Sequence, residues 1–173
     1  PVSLDELRRQ LERDPDNPAL RHRLATVLQS QGDLAGALTE LRRVVHTSPN
    51  FHPSQYSLGV LLQQQGRHQE AVQAFSAVFR AEPSDAAVRI RLAFSLRQAG
   101  DPEAALEHYR AVLDETPGLV DARFGHAMAL VQLSRYREAR NDLESAIEDF
   151  PEEPGFPHAL ARLRSEEHTS ELQ

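Results

Sequence analysis

A proline recurs every 34 residues, at Pro15, Pro49, Pro83, Pro117 and Pro151, and Gly32, Gly66 and Gly100 keep the same interval, with Ser134 in the fourth place. A fixed period of this length constrains the fold more than any local pattern. Each unit must be a small supersecondary element that buries its apolar face only against its neighbours. The phase in which each unit ends two residues after its proline sets repeats at 18–51, 52–85, 86–119 and 120–153, with residues 1–17 before them and 154–173 after. Within these units the eighth place is small (Ala25, Gly59, Ala93, Ala127), and so is the twentieth (Ala37, Ala71, Ala105, Ala139). The eleventh holds Leu28, Leu62, Leu96 and Leu130, and the twenty-fourth the larger Leu41, Phe75, Tyr109 and Leu143. Small residues at matched places let two helix backbones approach closely, while large ones fill the layer between units. The pattern predicts helical hairpins. The first helix of each runs to the glycine, which takes a left-handed backbone cheaply. The second starts just after it, with Asp33 and Asp101 placed to cap it and Pro102 at a first position where no N–H is missed.

Composition removes most other function classes. The 173 residues are 40% hydrophobic and 26% charged, as in a folded chain rather than a disordered one. A net charge of −7, from 19 basic and 26 acidic residues, opposes a phosphate-binding surface, so nucleic acid is not an expected partner. Without Cys there is no disulfide, thiolate nucleophile, zinc–thiolate site or iron–sulfur cluster. Every basic residue is Arg, which excludes lysine Schiff-base and P-loop chemistry. No apolar run approaches the ~20 residues that span a bilayer, and no targeting signal is evident, which leaves the compartment open. The motifs G-x-S-x-G and H-E-x-x-H are absent, as is a glycine-rich phosphate loop. Seven of the eight His, His22, His46, His52 and His126 among them, fall in different repeat places without the i, i+4 pairing of a metal site on one helix. His126 stands where the other repeats have Leu, as a satisfied core histidine or a local weak point. Runs such as Glu148-Asp149 and Glu152-Glu153 read as a solvated acidic edge. No catalytic residue, metal or cofactor is expected.

The segments LATVLQSQGDLAGALTELRRVVHTSP, LGVLLQQQGRHQEAVQAFSAVFRAEP and LAFSLRQAGDPEAALEHYRAVLDETP resemble tandem tetratricopeptide repeats. The resemblance implies an all-α, right-handed superhelical solenoid of helix–turn–helix repeats over residues 18–153. The fourth copy, HAMALVQLSRYREARNDLESAIEDFP, departs from it at His126 and Ser134 but keeps Ala127, Leu130, Ala139 and Pro151. The Trp often found in the family's first helix is missing throughout. Residues 3–14 fit the second helix of a truncated preceding repeat, occupying 1–17, and PEEPGFPHALARL fits the start of a further helix over 154–163. With Pro1 in place of Met, the chain is expected to be a fragment. The last ten residues, RSEEHTSELQ (164–173), break the period and equal one reading frame of a common short-read sequencing adapter, so a non-native tail is expected there.

The resemblance also implies that the first helices line a concave groove, with places two, five, six, nine, twelve and thirteen pointing into it. The fifth place holds His22, Tyr56, Ile90 and Phe124, and the ninth Thr26, Val60, Phe94 and Met128. A spacing of four puts each pair on one helix stripe, and from Tyr56 to Met128 that stripe is apolar. Arg23 and Arg91 at the sixth place, with Arg97 and several Gln nearby, supply a polar rim. Some family members grip an acidic C-terminal tail with Lys, Asn and Arg in this groove. Here only Arg91 matches; His22, Thr26, Ser57 and Ala87 stand at the other places, which argues against that mode. The expected function is a non-catalytic protein-interaction scaffold that takes a peptide or partner segment with apolar anchors. Self-association through open repeat ends is the rival use of the apolar surface. The chain could equally be the repeat segment of a larger multidomain enzyme, for example a bacterial glycosyltransferase, or of an envelope or secretion assembly.

Overall fold

A computed structural model describes residues 3–171, with the side chains of residues 3–166. The described residues form ten α-helices and no strand: α1 (Leu4–Arg13), α2 (Pro18–Ser30), α3 (Leu34–Thr47), α4 (His52–Gln64), α5 (His68–Ala81), α6 (Ala86–Gln98), α7 (Pro102–Glu115), α8 (Val120–Gln132), α9 (Tyr136–Asp149) and α10 (Gly155–Glu171). The adapter-like segment 164–173 begins within α10, and most of its side chains lie outside the described residues. Two compact units divide the chain, residues 1–83 with α1–α5 and residues 84–173 with α6–α10. Within each, a helix packs chiefly on its neighbours in sequence, as α2 does on α3 and α8 on α9.

The period fixes the turns. Gly32, Gly66 and Gly100 have φ of 83°, 73° and 95°, and Ser134 takes the same left-handed backbone at 57°. Only glycine reaches that region without a Cβ penalty, so Ser134 carries strain its three counterparts lack.

Helix starts reveal a finer pattern. Asp33 Oδ1 accepts the Gly36 N–H at 2.8 Å and Asp101 Oδ1 the Ala104 N–H at 3.1 Å, capping α3 and α7 as the sequence suggests. In α5 and α9 the capping place is Arg, and no side chain caps the helix. Instead Arg67 Nε donates to Glu70 Oε1 at 2.6 Å, and Arg135 Nε to Glu138 Oε1 at 2.7 Å. These arginine hydrogen bonds are the main cause holding Glu70 and Glu138 below the usual carboxylate range. The first and third repeats thus cap the backbone directly, while the second and fourth put an ion pair at the same two places.

The small and large places do what the pattern requires. Ala37, Ala71, Ala105 and Ala139 are fully buried, as are Leu41, Phe75, Tyr109 and Leu143. A Cβ on Gly59 would lie 2.7 Å from Phe75 Cζ, so the ring sits where only glycine leaves room. Tyr109 makes the same demand on Gly125, at the sixth place of the next repeat, where a Cβ would overlap its ring. Burial of the Tyr109 phenol pushes its pKa up to about 12. Of the eleventh-place leucines, Leu28, Leu62 and Leu130 are buried; Leu96 stays half-buried at the margin of the Ala93, Ala105, Tyr109 and Val112 cluster. In the second unit a larger cluster joins α8, α9 and α10 through Leu130, Leu143, Phe156, Leu160 and Leu163.

Candidate functional site

The first helices carry two polar arrangements that sort structural from available residues. At the fourth place, Arg21 is almost fully buried, its Nη1 2.6 Å from Glu40 Oε2 and its Nε donating to the Pro15 carbonyl at 2.8 Å. Gln55 copies the second contact, donating to the Pro49 carbonyl at 2.8 Å. Arg123 faces α9, with Nε 3.2 Å from Asp142 Oδ1 and Nη2 donating to Ser145 Oγ at 2.8 Å. His126 joins this group, Nδ1 2.8 Å from Asp142 Oδ2. The histidine in a leucine place is therefore a satisfied one, held by a carboxylate one helix away. Buried polar groups need such partners, and these fasten first helices to second helices or to the preceding turn. Their sequence signal is the fourth place, polar in every repeat as Arg21, Gln55, Arg89 and Arg123.

In the first unit, the fifth- and ninth-place residues are His22, Thr26, Tyr56 and Val60. His22 is half-buried, its Nδ1 3.0 Å from Ser54 Oγ and its ring edge-on to Phe51 at 5.8 Å between centroids. Burial pulls the imidazole below its ordinary pKa. Thr26 and Arg23 are exposed, and Thr26 Oγ1 donates to the His22 carbonyl of its own helix at 3.0 Å. Tyr56 and Val60 are half-buried, the Tyr56 ring edge-on to Phe75 at 5.7 Å.

In the second unit, the corresponding residues are Ile90, Phe94, Phe124 and Met128, with Arg91 exposed beside them. Ile90 packs on the cluster around Tyr109. Phe94 is 36% exposed, and of the described large apolar side chains only Leu34, at 38%, shares that status. The Arg97 guanidinium lies 5.6 Å from the Phe94 ring centroid, a cation–π distance. Phe124 and Met128 are half-buried, Phe124 tilted against Phe156 at 5.9 Å. Beside them a cleft of about 190 Å³ opens between α8 and α10, and His158 and Arg162 of α10 line it too. The expected apolar residues are therefore less bare than the sequence suggests: Tyr56, Val60, Ile90, Phe124 and Met128 are half-buried, and Phe94 is the most exposed of them. Among the described residues no three His, Asp or Glu converge as metal ligands, and no helix is long and apolar enough to cross a membrane.

Comparison with known proteins fits this geometry. A family model described as tetratricopeptide repeat matches residues 4–58 and 96–163, and another of the same description matches 56–120. No curated protein matches. Among solved structures, a tetratricopeptide repeat protein from Parabacteroides merdae superposes with TM-score 0.82 at 19% identity, over 92% of this chain and 64% of that one. The chain thus spans less than two thirds of that relative. MamA (41-end) from Desulfovibrio magneticus gives 0.77 at 19% identity, over 87% of this chain and 85% of its own. YrrB, described as a TPR protein with an unusual peptide-binding site, gives 0.77 at 17% identity, over 96% and 86%. At these identities the likeness speaks for the fold, an all-α helical-repeat solenoid.

Proposed function

The chain belongs to the tetratricopeptide-repeat family, a protein-interaction repeat scaffold, and from that premise we propose that it takes a partner's peptide segment on the fifth- and ninth-place stripe of the first helices of its second unit, α6 and α8. The observation that carries this reading is Phe94, a phenylalanine 36% exposed on that stripe with Arg97 over its ring. An exposed aromatic held in place by a cation has little entropy left to lose on binding, and such residues serve as anchors at interfaces. In the same unit Ile90, Phe124 and Met128 offer further half-buried apolar surface at the equivalent places. In the first unit His22, Thr26, Tyr56 and Val60 hold those places, with Arg23 exposed beside them. YrrB, a similar fold, is described as having a peptide-binding site, which supports a peptide as the occupant.

The test is a phage-displayed random peptide library panned on the protein and on Phe94→Glu, with circular dichroism to verify equal helicity. Enriched peptides are expected to lose at least tenfold in affinity for the variant, the scale of an anchor residue. Undiminished binding would move the site off the stripe.

A further inference from the structure

The cleft between α8 and α10 has a chemistry of its own. From α8 it is lined by Phe124, Met128 and Val131; from α10 it is lined by His158, Arg162 and Leu163. Counted from residue 154, His158 and Arg162 occupy the fifth and ninth places, so the cleft is where the stripe of one first helix meets the next. Its two sides differ: α8 presents apolar groups, and α10 presents an imidazole and a guanidinium one turn apart. Gly155 leaves part of the Phe124 ring uncovered, since a Cβ there would lie in ordinary contact 3.5 Å from Phe124 Cε2. The volume of about 190 Å³ suits a single side chain, as apolar cavities of roughly 150 Å³ accept a benzene ring.

The Arg162 side chain is 80% exposed at the rim, so its guanidinium is open to an incoming carboxylate. We infer that this cleft is a specificity subsite for a peptide segment carrying one aromatic or branched apolar side chain beside an Asp or Glu, the apolar group entering against Phe124 and Met128 and the carboxylate meeting Arg162. The inference rests on the stripe reading above and adds what the occupant must look like.

Library peptides enriched on the full chain are expected to share an apolar–acidic pair. Their affinity should fall about tenfold for Arg162→Glu, the loss of one charge-assisted contact, and the enriched acid should give way to a base when that variant is panned. Gly155→Leu, which fills the cleft at a helix start that tolerates a side chain, should abolish the apolar requirement even if Met128→Glu proves too unstable to use. Peptides that lose affinity on Phe94→Glu but ignore Gly155→Leu and Arg162→Glu would overturn the subsite and leave the stripe standing. Failure to enrich any peptide would overturn both.

Discussion

Single residues show where this chain departs from its own repeat. Ser134 takes a left-handed backbone that the other three repeats give to glycine, at a cost of about 1 kcal/mol for an L side chain. Ser134→Gly should therefore raise stability by about 1 kcal/mol in urea titration; an unchanged midpoint would show that the hydroxyl offsets the strain. Gly125 makes the opposite demand, because the Tyr109 ring fills the space of a Cβ. Gly125→Ala should lower the melting temperature although alanine favours helices elsewhere. Protonation supplies a third case. Burial lowers the pKa of His22, and burial followed by the Arg89 charge lowers that of His108. As pH falls through 6.5, the unfolded chain takes up these protons before the folded one does, so stability present above that pH is lost on acidification. His22→Gln should flatten the decline in melting temperature from about pH 7 to pH 5, and parallel curves would exclude His22 as a contributor.

At the scale of helices, the hairpins were legible because the 34-residue period repeats their packing requirements four times. Small eighth and twentieth places and large twenty-fourth places name the contact surfaces directly, and the turns follow from Gly32, Gly66 and Gly100. The alternation between aspartate caps and Arg–Glu pairs was equally present in the sequence, at Asp33, Arg67, Asp101 and Arg135, but it repeats every second unit and a single-period comparison passes over it. Burial was harder to read: one helix face at a time, the sequence does not say that Ile90 and Met128 lean on the core while Phe94 is more exposed. Nor does it say that Arg21 is buried, since an arginine is usually outside unless paired. The buried Leu62 is expected to be a strong point of its hairpin. Leu62→Ala should cost roughly 2 to 5 kcal/mol, and Leu96→Ala, at a half-buried site, distinctly less. Equal losses would contradict the burial difference. Asp101→Ala should cost about 1 kcal/mol as a lost cap.

For the molecule as a whole, stability in a repeat chain is a sum of local terms, and within each unit a helix leans on its neighbours. Residues 84–173 hold their own core through Leu130, Leu143, Phe156 and Leu163, so that segment expressed alone should give a helical spectrum and a cooperative melt. The absence of either would show that the unit depends on the rest of the chain. The proposed function follows the same logic, with α6 and α8 offering a stripe to a partner while other polar groups of the first helices hold the scaffold. The most direct test of that claim is the map of backbone amide shifts when a library-enriched peptide is titrated into the labelled protein. The shifts should gather along Ile90–Phe94 and Phe124–Met128 of α6 and α8. A map concentrated instead on the second helices, α3, α5, α7 and α9, would contradict the account.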